Sequence, residues 1–146
     1  MTPPIWVATW GSPAGLRRVA STGDGWLASA YNTTPERFSE GLTRLAKALV
    51  KRGREPVPNA IATAWMYITE DTRRAEQMLV DVLAPLLNRS VEELRSLSLP
   101  IGPAEVCAER LTAFAEAGAQ RFFVWPLRDE LRQLELFREQ VIPMVR

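Results

Sequence analysis

The chain has 146 residues, no histidine and one cysteine. Without an imidazole, neither a Ser-His-Asp nor a Cys-His nucleophilic site can be built within it, and a zinc site loses its commonest neutral ligand. A lone Cys107 excludes an internal disulfide and fits a reducing compartment. There is no Gly-x-Gly-x-x-Gly and no Gly-Lys-Ser/Thr phosphate loop. No apolar run approaches the ~20 residues of a membrane span, and no basic segment leads into an apolar one at the N-terminus, so the expected location is the cytoplasm, with no membrane partner. Charge of either sign is also lacking in excess. Eighteen Lys and Arg against 17 Asp and Glu leave a formal +1 with no basic block, which argues against nucleic acid as a partner. If such a chain is an enzyme, a cofactor has to carry the chemistry.

What is present is the composition of an ordinary globular protein, 47% hydrophobic and 24% charged, at the length of a single domain spanning 1–146. The stretch that organises the rest is IWVATWGSPAGLRRVASTGDGW, residues 5–26. Residues 5–10 are apolar, β-branched and aromatic, bounded by Pro4 and Gly11, the pattern of a strand buried on both faces. Ser12 is a helix N-cap with Pro13 as first helical residue, and Leu16, Val19 and Ala20 form one helical stripe while Arg17 and Arg18 point outward. Gly23 and Asp24 end the helix, and residues 25–29 read as a second strand.

Further along, Thr34 caps a helix that begins at Pro35; a Thr33 to Glu36 capping box competes, and the fixed φ of Pro35 favours Thr34. Phe38, Leu42, Leu45, Ala46 and Leu49 make its apolar stripe, with Lys47, Lys51, Arg52 and Arg54 as the solvated basic end, and Gly53 stops it. Residues 60–69 read as a third strand with Trp65 and Tyr67 on one face. A helix then starts at Glu70 or Asp71 with Ala75, Met78, Leu79, Val82, Leu83 and Leu86 buried, and Pro85 predicts a kink or break near Ala84. Ser90 and Glu93 form a capping box for a short inserted helix over 91–97. The next helix starts at Gly102 and Pro103, turns Ala104, Cys107, Ala108, Leu111, Phe114 and Ala115 inward, and ends at Gly118. Residues 121–125 read as the last strand, followed by a closing helix with the stripe Leu131, Leu134, Phe137, Val141 and Met144.

Four strands alternating with helices call for a parallel sheet with right-handed crossovers, either half of a (βα)8 barrel or a small doubly wound sheet. In both, function belongs at the C-terminal ends of strands. There Gly11 and Ser12 offer backbone donors, a hydroxyl and the positive end of a helix dipole, which suits a phosphate, though the same residues make a tight βα turn with a good cap. Tyr31, Asn32 and Thr33 end the second strand and Trp125 the last, as pocket lining or as ordinary loop and packing residues. Trp6 and Trp65 read as core or helix-facing filler. Cys107 reads as a small buried hydrophobe with no basic neighbour to lower its pKa. Arg17, Arg18, Arg73 and Arg74 read as solvated helix faces. No residue is singled out as catalytic, and no metal site is expected.

The runs PPIWVATWGSPAGLRR and GDGWLASAYNTTPERF, then GPAEVCAERLTAFAEAGAQRFFVWPL with LRQLELF behind it, resemble the C-terminal half of the bacterial luciferase-like monooxygenases, a flavin- or deazaflavin-dependent TIM-barrel family. The likeness runs from Pro3 to Pro143. It implies an α/β fold that is half of a (βα)8 barrel, in which residues 5–10, 25–29, 60–68 and 121–125 resemble barrel strands five to eight. It also implies an oxidoreductase or monooxygenase that uses FMN or a deazaflavin. The family's phosphate-holding loop carries over to Thr9, Trp10, Gly11 and Ser12; Trp10 departs from the pair of small residues many members have there. The first four βα units of the family lie outside this sequence, so the resemblance implies a separate N-terminal half as partner and no turnover by the isolated chain. Four strands also leave two edges and an apolar face open, so the residues themselves favour a homodimer, paired edge to edge as a barrel or face to face as a sandwich. The alternative is a non-catalytic half-barrel that binds a phosphate-bearing ligand or only self-associates.

Overall fold

Local hydrogen bonds start most of the helices. In the computed structural model, which describes residues 2–146 with the Thr63 side chain excepted, Ser12 caps α1 (Pro13–Thr22) by accepting the Gly15 N–H at 3.1 Å. Thr34 caps α2 (Pro35–Val50) by accepting the Arg37 N–H at 3.3 Å, with Pro35 as first helical residue. Asp71 accepts from the Arg73 and Arg74 N–H groups at the head of α3 (Thr72–Gln77). After α4 (Ala84–Leu87), Ser90 and Glu93 close a reciprocal capping box on α5 (Val91–Arg95), which stops short of Leu97. Each cap satisfies an N–H that the helix itself cannot.

The strands are β1 (Trp6–Ala8), β2 (Gly25–Ser29), β3 (Asn59–Ile68), β4 (Ile101–Gly102) and β5 (Phe122–Pro126), all paired in parallel. β1, β2, β3 and β5 lie side by side in that order. Helices α1, α2, α6 (Ala104–Glu116) and α7 (Glu130–Leu136) pack over one face, through Val19, Trp26, Phe38, Phe114 and Val141. The architecture is α/β, half of a (βα)8 barrel, with its four main helices on one face of the sheet. β4 is an added fifth strand. β3 carries an irregularity between Ile61 and Ala64: Ala62 still accepts from Ala30 of the β2 side, whereas Tyr67 donates to Pro100, so β4 takes up the edge of β3 where β2 has ended.

Several expectations change. β1 is three residues long and is not buried on both faces: Ile5 is 59% and Trp10 66% exposed, and Ala8 is exposed too. Only the face of Val7 is covered by helices. Trp6 does not face the helices: it pairs in register with Gly25, whose missing Cβ leaves room for the indole on the open face of the sheet. Trp65 pairs with Trp125 and is half-buried core filler, beside Val82 and Pro85. Ahead of Pro85 the helix widens into a π-helical stretch over Met78–Leu83 and runs on without a break to Leu87. A second π stretch, Phe137–Val141, follows α7. Each wide turn rotates later residues off the 3.6 period. Leu86 and Met144, which follow the two stretches, are exposed; Leu131 and Leu134 of α7 are exposed as well, and Gln133 between them is buried instead, its amide accepting from the Ile68 N–H at 2.6 Å and donating to the Ile68 carbonyl at 3.0 Å.

Arg54 is another departure from a solvated basic end. Its guanidinium donates to the carbonyls of Val19, Ala20 and Gly23 at 3.3, 2.9 and 2.8 Å and so closes the C-terminus of α1 from a distant segment. A cation on the last carbonyls also meets the negative end of the helix dipole. Arg54→Ala is expected to lower stability by about 1–2 kcal/mol, from lost charge-assisted hydrogen bonds at a half-buried site. Urea unfolding monitored by circular dichroism checks this; an unchanged midpoint would mean that water replaces the guanidinium without loss.

Candidate functional site

At the C-terminal ends of β1 and β2 the chain turns into α1 and α2, and between these two turns is a hollow of about 360 Å³ lined by Trp10, Gly11, Ser12, Pro13, Asn32, Arg37, Glu40 and Arg44. Gly11 has φ +86°, a conformation that an L side chain adopts only with strain, and this turn aims the chain from the strand into the helix. Ser12 Oγ is committed as acceptor to Gly15, leaving its O–H as donor, and Pro13 has no N–H. The first turn of α1 contains no acidic residue to compete with an anion. From the α2 side come two guanidinium groups, Arg37 and Arg44, the latter paired with Glu40 at 3.1 Å in an exposed ion pair.

Of the residues singled out from the sequence, Trp10, Gly11, Ser12 and Asn32 line this hollow. Thr9 does not: its N–H donates to Leu27, its carbonyl accepts from Trp26 Nε1 at 3.0 Å, and its hydroxyl lies against Gly15, where a Cβ would come within 1.8 Å of it. Thr33 is buried, its hydroxyl on the Thr34 carbonyl. Tyr31 is held beneath Arg89, whose guanidinium sits 5.6 Å from the ring centre and donates to the Tyr31 carbonyl and to Asn32 Oδ1. Trp125 lies elsewhere on the rim, 48% exposed, edge-on to Trp65 at 5.3 Å. The residues missed from the sequence are Arg37, Arg44 and Arg89. The spacing of seven between the first two, on the outer face of a helix that follows a strand, was the available signal for them.

A larger hollow of about 640 Å³ lies between α6 and the C-terminal segment, lined by Glu105, Glu109, Glu116 and Arg146 among others. It is remote from the strand ends, and its acidic lining repels a phosphate. Among the described residues no group of three or more His, Cys, Asp or Glu side chains is arranged to hold a metal. No helix of the described residues is long and apolar enough to cross a membrane.

Cys107 is fully buried on α6 with its thiol on the Gly102 carbonyl at 3.5 Å. Contrary to the expectation from sequence, a basic neighbour is present, since Arg110 acts to lower the thiol pKa. Burial outweighs it, with Glu70 adding to the upward push, and the thiol is raised to about 12.

The model of the luciferase-like monooxygenase family matches residues 1–92, more than half of the chain. The chain belongs to this family. No curated protein matches it. Among solved structures of this fold, an F420-dependent secondary alcohol dehydrogenase, in complex with an F420-acetone adduct, superposes with a TM-score of 0.80 at 18% identity, over 100% of this chain and 50% of that one. The coenzyme F420-dependent tetrahydromethanopterin reductase from Methanopyrus kandleri gives 0.68 at 15% identity over 98% and 51%. EDTA monooxygenase from Chelativorans sp. BNC1 gives 0.69 at 14% identity over 99% and 44%. The chain thus spans about half the length of these relatives in fold. The family match ends near α5, and the half-barrel likeness carries on through β4, α6, β5 and α7.

A thiol with a pKa of about 12 is almost wholly protonated at pH 8. Native protein is expected to leave Ellman's reagent unreacted at pH 8, whereas unfolding in guanidinium should release one thiol per chain. Rapid reaction of the native protein would contradict the burial of Cys107.

Proposed function

We propose that this luciferase-like chain holds the phosphate end of FMN or of a deazaflavin cofactor, as one half of an oxidoreductase or monooxygenase site. The observation that carries the reading is the hollow at the ends of β1 and β2. It puts a left-handed glycine turn, a free serine O–H, a helix N-terminus and two guanidinium groups around one volume of about 360 Å³. Such a set of donors with a net positive charge suits a phosphate dianion, and helix dipole and hydrogen bonds act in the same direction. Support from outside the chain is that relatives of the same fold are described as F420-dependent or as monooxygenases.

When bound, the cofactor ring supplies the hydride or electron transfer. What this chain does is hold and aim it. Ser12 and the backbone around Gly11 fix one end of the ligand, and Arg37 and Arg44 neutralise its charge. Trp10, largely exposed beside the turn, offers an apolar surface to whatever leads away from the phosphate. Arg89 holds Asn32 on the far wall, so Asn32 acts as a positioned lining group.

Replacing Arg37 and Arg44 together by Gln removes both cations from an exposed surface of α2 without touching the core. FMN or F420 affinity, followed by the fluorescence of the cofactor, should fall by about tenfold or more at low salt, the effect of roughly 1.4 kcal/mol or more from two partly screened charge contacts. The difference between wild type and variant should shrink as salt is raised. Equal affinities at low salt would remove the phosphate from this hollow.

A further inference from the structure

We propose that the open face of the sheet is the seat of a second copy of this chain, the two half-barrels closing edge to edge with β5 of each beside β1 of the other.

One face of the sheet is covered by α1, α2, α6 and α7; the other carries Trp6, Ala8, Leu27, Phe123 and Trp125 without a comparable layer. Phe123 is 52% and Trp125 48% exposed, and none of these five side chains is charged. A cluster of large apolar groups on one exposed face is unusual for a free-standing domain and marks an interaction surface.

The edges identify the occupant. Among the described residues, β1 pairs only with β2 and β5 only with β3, so one edge of each is free. On either side of β1, Ile5 and Thr9 bond toward β2, which leaves the backbone of Trp6 and Ala8 directed outward; on either side of β5, Arg121 and Leu127 bond toward β3, which leaves that of Phe122 and Val124 outward. These free edges are short but carry no charge or bulge of the kind that blunts an exposed edge, apart from the missing N–H of Pro126.

A two-fold rotation about an axis parallel to the strands keeps every strand parallel and brings each β5 edge to the other copy's β1 edge. Two sets of four main strands make eight, the number that closes a barrel and leaves no edge. Two-fold closure also limits assembly to a dimer. In the closed arrangement the Trp125 end of β5 comes beside the second copy's Trp10 and Gly11, so each copy would wall the other's candidate site.

Sedimentation velocity from 1 to 50 μM tests this without any cofactor, so its result is independent of the phosphate assignment. The wild type is expected as a discrete dimer, and Phe123→Glu, at an exposed position, as a monomer with an unchanged far-ultraviolet circular dichroism spectrum. Ala8→Lys, on the opposite edge, gives the same result if Phe123→Glu does not fold. Acrylamide should quench tryptophan emission more strongly in the monomeric variant than in the wild type. A wild type that is monomeric throughout, open-ended aggregation, or a dimer untouched by the folded variants would each overturn the proposal.

Discussion

The half-barrel and its candidate site depend on one side chain, Trp26, near the start of β2. It is 1% exposed, stacks on Phe38 of α2 at 5.0 Å, and lies so close to Gly41 that a Cβ there would come within 2.7 Å of the ring. Its Nε1 donates to the Thr9 carbonyl at 3.0 Å, and its ring edge passes under Gly11, 3.7 Å from where a Cβ would stand. A large buried aromatic contributes several kcal/mol through burial and packing. Here the same ring also fixes the loop between β1 and α1 relative to α2. The walls of the hollow come from those two elements, so the packing of the core and the shape of the site are set together.

Around this centre, polar side chains close what the short strands cannot. Asn59 and Gln120 exchange side-chain and backbone hydrogen bonds at the entry to β3 and β5, and Gln133 continues the ladder beyond Ile68. Arg54 finishes α1, and Arg89 ties the α3 to α5 excursion to the end of β2. These contacts join residues 31 to 65 positions apart. They give unpaired backbone groups partners inside a sheet that has few strands to offer.

The same division explains what could be read from the sequence. Ser12, Thr34 and Ser90 act on residues three positions ahead and Asp71 on those two and three ahead, and the first strand, turn and helix follow from residues that are neighbours in the chain. The half-barrel arrangement follows from the alternation of strands and helices together with the family likeness. Burial of β1 was misjudged because an apolar run does not tell which face has a layer upon it; Ile5 and Trp10 are apolar and exposed. β4 was invisible, being two residues whose pairing lies with Tyr67 and Ile68. The closing helix was misread because the hydrogen bonds of Gln133, not hydrophobic period, choose the inward face of α7, and a π turn follows it. At the site, Gly11 and Ser12 carried a local signature, whereas Arg37 and Arg44 resembled any solvated helix face until the fold set α2 beside α1.

The central claim is that the turn held by Trp26 binds phosphate through its own backbone. An amide proton–nitrogen NMR titration of the whole chain with inorganic phosphate, followed by FMN, tests it most directly. The account predicts that the largest shifts fall on Gly11, Ser12 and Ala14, with smaller ones on Asn32 and Arg37. Shifts absent from these amides, or centred on the hollow between α6 and the C-terminal segment, would contradict it.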